Sequence, residues 1–148
     1  MSAIPFLACM LATAAAYHLP PRLLPAIQQV EGGTTGTVHP NTNGSDDLGV
    51  MQINSAWLGR IGAITGLPAA QVRDRLIDDG CFNIAAAGMI LHAALDEADQ
   101  DLLRAIGFYH SHTDSFADPY RARVLAAAHR LFAPQPDQPA LSRRSADR

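Results

Sequence analysis

The sequence lacks the features that mark several common classes of protein. Its 148 residues carry a formal net charge of −3 at pH 7, so there is no basic excess to bind a phosphate backbone. No apolar run reaches the roughly eighteen residues that span a bilayer. These absences argue against nucleic acid as a partner and against an integral membrane helix. The length fits one domain with its own core.

Motifs for bound cofactors are also missing. There is no phosphate-binding glycine loop before a lysine, and no serine lies on a Gly-x-Ser-x-Gly turn. Cys9 and Cys81 lack the Cys-x-x-Cys spacing of a zinc or redox site, so they predict either one long-range disulfide or two buried thiols. His110 and His112 have no nearby carboxylate or third histidine to complete a metal site. We therefore predict no metal and no cofactor.

Helical periodicity dominates the rest of the sequence. It predicts helices over residues 20–31, 48–61, 67–78, 83–95, 102–109 and 120–131, and no strand pattern competes with them. Glu31 should end the first of these because Gly32 and Gly33 follow it, and Asn83 should cap the longest. The fold is therefore predicted to be mainly α, with residues 32–47 as an irregular loop that can line a cleft.

The two ends of the chain need separate interpretations. Residues 4–16 have the length and small-residue ending of a signal-peptide core, although no Lys or Arg precedes Arg22, and they also fit a buried helix. Residues 134–148 are proline-rich and polar and have no apolar face. We predict that they form a disordered tail after a domain of residues 1–133.

Three segments place polar residues at structural boundaries. They read Val-Glu-Gly-Gly at 30–33, Asn-Gly-Ser-Asp-Asp-Leu-Gly-Val-Met-Gln-Ile-Asn at 43–54, and Phe-Tyr-His-Ser-His at 108–112. Their order and spacing resemble the catalytic domain of the soluble lytic transglycosylases, which shares its fold with goose-type lysozymes. The resemblance covers roughly residues 9–131. It is closest to the small members that accompany conjugation, type III secretion and type IV pilus machines, in which the second string is diagnostic.

The resemblance implies a role for several of these residues. Glu31 holds the place of the family's catalytic glutamate, with Gly32 where the family usually has serine. Tyr109 matches a tyrosine that is expected to hydrogen-bond this glutamate, and His110 replaces the asparagine that usually follows it. A lysozyme-like helical domain with Glu31 and Tyr109 as catalytic residues is the expectation.

The same resemblance bears on the cysteines and the N-terminus. The family has a cysteine eight residues before an early tyrosine and another just before Asn-Ile, and Cys9 and Cys81 reproduce both positions. This implies a Cys9–Cys81 disulfide, an oxidising compartment such as the periplasm, and a first helix at residues 4–16. On this expectation the chain as given has no obvious signal peptide.

The implied reaction is cleavage of peptidoglycan by one carboxyl group. The protonated glutamate cleaves the β-1,4 bond between N-acetylmuramic acid and N-acetylglucosamine. As a carboxylate it then takes the proton of the muramoyl C6 hydroxyl, which leaves a 1,6-anhydro end. The expected partners are glycan strands and components of a secretion, conjugation or pilus machine, and the expected state is a monomer.

Five residues are candidate substrate contacts. Gln52, Asn54 and His110 are expected to meet sugar hydroxyl or acetamido groups, Met51 to form an apolar wall, and Gly49 to let the glycan pass close to the backbone. For Gln52 and Asn54 the alternative is that they satisfy backbone groups at a helix start, and this alternative fits Asn54 better.

Two other functions are compatible with these residues. One is a lysozyme-type hydrolase on the same fold, in which Asp46 or Asp47 holds the attacking water. The other is a non-catalytic glycan-binding or scaffold protein, suggested by the serine missing after Glu31 and the asparagine missing after Tyr109. The product ends separate the two enzymes, and loss of activity in a Glu31→Gln variant excludes the scaffold.

Overall fold

Helices make up most of the structure, a computed structural model that describes residues 3–133. The helices within this range are α1 (Leu7–Ala16), α2 (Leu23–Glu31), α3 (Leu58–Thr65), α4 (Ala69–Asp78), α5 (Gly80–Glu97), α6 (Leu102–His110) and α7 (Asp114–Phe132). The prediction of a mainly α fold is confirmed. None of the helices in this range has the length and hydropathy to cross a membrane. The expected tail at 134–148 lies outside the described residues.

The centre of the fold is α5, which contacts α1, α4 and α6. Gly88 lies so close to Thr13 and Tyr17 that an added Cβ would overlap their side chains, so the small residue lets α1 approach closely. A disulfide joins Cys9 of α1 to Cys81 of α5, with 5.5 Å between the two Cα atoms. Residues 4–16 therefore contain a packed first helix, which was one of the two interpretations of this segment.

A small antiparallel sheet corrects the prediction for residues 32–61. It consists of β1 (Val38–Pro40), β2 (Asp46–Leu48) and β3 (Ile53–Asn54), paired in that order. Residues 32–47 are thus not wholly irregular, and the helix expected over 48–61 begins only at Leu58, after a 3₁₀ turn at Ser55–Trp57. Strands of two or three residues are too short to leave an alternating pattern, and buried residues of the β2–β3 turn imitate helical spacing.

Asn83 has a different role from the one predicted. The side chain of Asp79, not that of Asn83, caps α5 by accepting the N–H of Phe82. Asn83 lies inside the helix, fully buried, and its amide accepts the N–H of Met51 and donates to the carbonyl oxygens of Leu48 and Leu76. It thereby attaches the β2–β3 turn to the central helix.

The end of α2 is held against the same turn. Gly33 lies so close to the carbonyl groups of Gly49 and Val50 that any Cβ would overlap them. On its other side, α2 packs against α7, and α7 also packs against α6. The last residue of α2 is therefore placed between the sheet, α6 and α7.

Candidate active site

A polar cleft of about 250 Å³ opens at the end of α2. Glu31 lines it from α2, Asp47 and Gln52 from the sheet region, and Tyr109 and His110 from the last turn of α6. Glu31 is the final residue of its helix, and Gly32 follows with a φ of 69° and donates its N–H to the carbonyl of Gln28. The glycine ends the helix because this left-handed conformation suits a residue without a Cβ.

Tyr120, not Tyr109, hydrogen-bonds the glutamate. The hydroxyl of Tyr120 on α7 donates to Oε1 of Glu31 at 2.8 Å, and the ring is fully buried. The hydroxyl of Tyr109 donates instead to the carbonyl oxygen of Met51 at 3.0 Å. The prediction of a hydrogen bond between Tyr109 and Glu31 is therefore wrong. In the sequence, Tyr120 is only the first residue of the helix that apolar periodicity predicts over 120–131, and nothing there connects it with Glu31.

The carboxyl group of Glu31 has an unusually high pKa because it is largely removed from water. Its pKa is raised from 4.5 to about 7, first because removal from water disfavours the carboxylate. The hydrogen bond from Tyr120 opposes this rise, the negative charge of Asp47 adds to it, and the positive charge of Arg123 on α7 lowers the pKa slightly. At neutral pH both the acid and the carboxylate forms are populated, as a group that acts as acid and then as base requires.

Some residues of the diagnostic string at 43–54 line the cleft, and others lie in the core. Gln52 and Asn54 line the cleft, whereas Met51 is fully buried in the core. Gly49 is buried too, and its Cα faces the carbonyl of Leu76 and the side chain of Asn83. The apolar wall expected from Met51 and the glycan contact expected at Gly49 are not what the structure shows: both residues shape the turn that carries Gln52.

A comparison with models of protein families agrees with the resemblance to lytic transglycosylases. The model of the transglycosylase SLT domain matches residues 8–123, from α1 into α7. The chain belongs to the transglycosylase SLT domain family. Peptidoglycan is the substrate that this family implies, and its members act outside the cytoplasm. A search among curated proteins returns no match.

The loop before β2 adds a polar wall that the sequence reasoning missed in this SLT domain. Asn41, Asn43 and Ser45 all line the cleft. The Ser45 hydroxyl donates to Oδ1 of Asn43 at 2.6 Å, and the side-chain amides of Asn41 and Asn54 both donate to the Ser45 hydroxyl oxygen. The Asn-Gly-Ser sequence signals a turn, but only the folded loop directs these side chains towards Glu31.

Asn54 has the structural role that was its alternative, within a wider network. Its side-chain oxygen accepts the N–H of Ala56 at the start of the 3₁₀ turn, and its amide donates to Asp47 as well as to Ser45. Gln52, with a φ of 52°, donates from its side chain to the carbonyl oxygen of Gly49. The side-chain oxygen of Gln52 and the carboxylate of Asp47 are thus among the cleft groups that can accept a hydrogen bond from a sugar.

This SLT domain departs from the family pattern at Gly32 and at His110, and the two residues have different surroundings. An added Cβ at Gly32 would meet no atom within 4 Å, so the missing serine leaves open space next to Glu31. His110 lines the cleft and stacks on the ring of Tyr120, with 4.6 Å between the centroids. Burial lowers the pKa of His110 from 6.5, and the charge of Arg123 lowers it further.

His112 belongs to a different surface from its near neighbour His110. Its Nε2 lies 2.6 Å from Oε2 of Glu97, and both side chains are largely exposed. Its ring also stacks on Phe108. The histidine pair of the sequence is therefore divided, with His110 in the cleft and His112 beside the end of α5.

Proposed function

We propose that the protein is a peptidoglycan lytic transglycosylase that cleaves the β-1,4 bond between N-acetylmuramic acid and N-acetylglucosamine and forms 1,6-anhydromuramoyl ends. The observation that carries the proposal is the environment of Glu31. Its carboxyl group lies in a polar cleft, accepts a hydrogen bond from Tyr120 and has a pKa of about 7. Family membership supplies the class of substrate.

In the first step, protonated Glu31 donates its proton to the glycosidic oxygen. The bond from this oxygen to the muramoyl C1 breaks, the N-acetylglucosamine side leaves as an alcohol, and positive charge develops at C1. Tyr120 supports this step because its hydroxyl bonds one carboxyl oxygen and stabilises the carboxylate that forms. The pKa of Tyr120 is raised by burial and by the charge of Glu31, so the hydroxyl keeps its proton as a donor.

In the second step, the Glu31 carboxylate removes the proton of the muramoyl C6 hydroxyl. The C6 oxygen forms the new bond to C1, and Glu31 regains the proton with which it started. Since the nucleophile is part of the substrate, its effective concentration can reach about 10⁵ M, and no water has to be positioned. A single carboxyl group near neutral pKa can therefore complete the cycle.

A lysozyme-type hydrolase is the second candidate, and one observation favours it. Asp47 lines the same cleft as Glu31, so the site holds two carboxyl groups. In an inverting hydrolase the second group activates a water on the opposite face of the sugar. Asp46 does not fit this role, because its Oδ2 pairs with Nη2 of Arg73 at 2.9 Å.

We place the activity in the periplasm, in local opening of the wall for a secretion, conjugation or pilus machine. The diagnostic string supports this assignment by its resemblance to the small members that accompany such machines. A Cys9–Cys81 disulfide suits an oxidising compartment. We propose that the protein acts as a monomer on glycan strands, with the machine components as its protein partners.

The test is mass spectrometry of the fragments that the protein releases from purified peptidoglycan. We expect 1,6-anhydromuramoyl ends from the wild type and a loss of release of about a thousandfold in Glu31→Gln, because the amide cannot deliver a proton. Glu97→Gln is the matched control, since Glu97 pairs with His112 away from the cleft. Reducing ends would instead identify a hydrolase, and equal release by Glu31→Gln would contradict both enzymatic functions.

A further inference from the structure

Tyr120 has one partner at its hydroxyl group and another at the face of its ring. The hydroxyl donates to Oε1 of Glu31 at 2.8 Å. The imidazole of His110 covers one face of the ring, with 4.6 Å between the centroids and 8° between the planes. The ring of Tyr109 lies farther away, with 6.5 Å between the centroids. Of these two neighbours, His110 is the one in close contact with the residue that hydrogen-bonds the acid.

A short connection brings His110 and Tyr120 together. His110 is the last residue of α6, and α7 begins at Asp114, so only residues 111–113 separate the two helices. Ser111 ends α6 in an extended conformation, and its N–H bonds to the carbonyl of Gly107. The helices pack against each other. The last turn of α6 therefore lies beside the first turns of α7.

The helix that carries Tyr120 is weakened one residue before it. Pro119 lies inside α7. Proline has no N–H to donate, and its ring crowds the carbonyl group one turn earlier, so the helix is held less firmly at this point. The orientation of Tyr120 therefore depends more on contacts with other elements than it would in an uninterrupted helix. The stack with His110 of α6 is such a contact.

The stack joins two uncharged rings at neutral pH. Burial and the charge of Arg123 lower the pKa of His110 from 6.5, although Asp47 opposes them. Burial and the charge of Glu31 raise the pKa of Tyr120, which keeps its proton. Aromatic rings that stack with an offset attract each other at centroid distances of about 4.5 to 7 Å, so the observed arrangement is favourable.

His110 also lies between Tyr120 and the cleft. His110 is exposed and lines the cleft, whereas only 1% of the surface of Tyr120 is exposed. A hydrogen bond that is kept from water is stronger than one that water can replace. The imidazole can therefore act on the bond between Tyr120 and Glu31 without touching either atom of that bond.

We propose that His110 is a positioning residue, whose imidazole holds the ring of Tyr120 so that the tyrosine hydroxyl stays directed at Glu31. The inference rests on the proposed function, in which Glu31 is the acid. His110 transfers no proton in this role. The bonds that break and form, and the proton that Glu31 gives and regains, are those of the proposed reaction.

A cycle of single and double variants tests whether His110 acts through the hydroxyl of Tyr120. His110→Asn keeps a polar amide but removes the ring. We expect the rate of release from saturating peptidoglycan to fall about fivefold, as loss of one stacked pair implies. In a Tyr120→Phe background, which has no hydroxyl to direct, the same change should cost less than about twofold. Equal losses in the two backgrounds would overturn the proposal.

Two further variants separate positioning from contact with the substrate. His110→Phe keeps a ring that can stack on Tyr120, so it should recover most of the saturated rate although it cannot hydrogen-bond a sugar. A rate that is normal in His110→Asn and low in His110→Phe would assign His110 to the substrate and overturn the proposal. His112→Asn is the matched control, since His112 stacks on Phe108 and pairs with Glu97 away from the cleft. Its rate should stay within about twofold of the wild type.

The ends of the released fragments test the function separately from the role of His110. Anhydro ends from the wild type with equal losses in the two backgrounds would overturn the positioning role and leave the transglycosylase intact. Reducing ends would overturn the transglycosylase, whereas a loss that needs the Tyr120 hydroxyl would still support His110, because a hydrolase also uses Glu31 as its acid. No release by the wild type would overturn both. Circular dichroism shows whether each variant folds, and His110→Gln takes the place of an unfolded His110→Asn.

Discussion

In the proposed catalytic cycle, Glu31 gives a proton and then takes one, so it needs two opposite properties. Its surroundings balance these properties: burial favours the acid, whereas the hydrogen bond from Tyr120 favours the carboxylate. The neighbouring tyrosine on α6 does not share this role, because Tyr109 is engaged by the carbonyl of Met51. At the scale of single residues, the pKa of Glu31 therefore depends on the hydrogen bond from Tyr120, which Tyr109 does not make.

Replacing each tyrosine by phenylalanine tests this division. Tyr120→Phe removes the bond that lowers the pKa of Glu31, so we expect a pKa above about 7, an alkaline limb at higher pH and a loss of rate of about tenfold or more. Tyr109→Phe should leave the alkaline limb within about 0.3 pH units of the wild type, whatever its effect on the rate. Equal shifts of the limb in both variants would contradict the assignment of the hydrogen bond.

At the scale of elements, α1 and the β2–β3 turn are each joined to α5 by a specific link. Asn83 of α5 binds the end of β2 and the turn after it through two hydrogen bonds, with Leu48 and Met51, and it donates a third to Leu76 of α4. The disulfide binds α1 to the first turn of the same helix and closes a separation of 72 residues. Two unrelated kinds of link thus converge on one helix, and both act on segments far from it in the sequence.

Removal of the disulfide should destabilise the fold without changing the cleft. We expect the double variant Cys9→Ser and Cys81→Ser to lose about 4 kcal/mol of unfolding free energy, from the entropy of a loop of this length. Urea denaturation measures the loss, and wild type in reducing buffer is the matched control. Reduced wild type as stable as the oxidised form would show that the bond contributes nothing.

At the scale of the whole molecule, the raised pKa of Glu31 makes stability depend on pH. Below about pH 4.5 the group is protonated in both folded and unfolded chains. Between 4.5 and about 7 only the unfolded chain is ionised, so unfolding releases a proton and the free energy of unfolding falls as the pH rises. Above this range both states are ionised and the contribution is lost.

The Glu31→Gln variant should therefore become more stable than the wild type as the pH rises. We expect the difference in unfolding free energy to grow between about pH 4.5 and 7 and to level off at no more than about 3 kcal/mol. Urea denaturation over a pH series measures it, with Glu97→Gln as the control for loss of one carboxylate at an exposed position. A constant difference across the series would contradict the raised pKa.

Features that rest on local patterns could be predicted from the amino-acid sequence alone. Apolar periodicity located α2 and α4 to α7, and the glycines after Glu31 located it at a helix end. The order of the three polar segments led to the family that the comparison then showed. The roles proposed for Gln52, Asn54 and His110 in binding stay predictions, although all three line the cleft.

Contacts between side chains of distant segments depend on the packing of the elements, which the sequence patterns do not reveal. Tyr120 is 89 residues from Glu31 and Asn83 is 32 from Met51. The sequence context of Tyr120 was that of an ordinary helix residue, and that of Asn83 indicated a helix cap. The short strands escaped detection because pairing between segments, not periodicity within one, creates them. Helix ends and apolar faces depend on neighbours in the sequence, whereas hydrogen-bond partners and the field around a carboxyl group depend on how the elements pack.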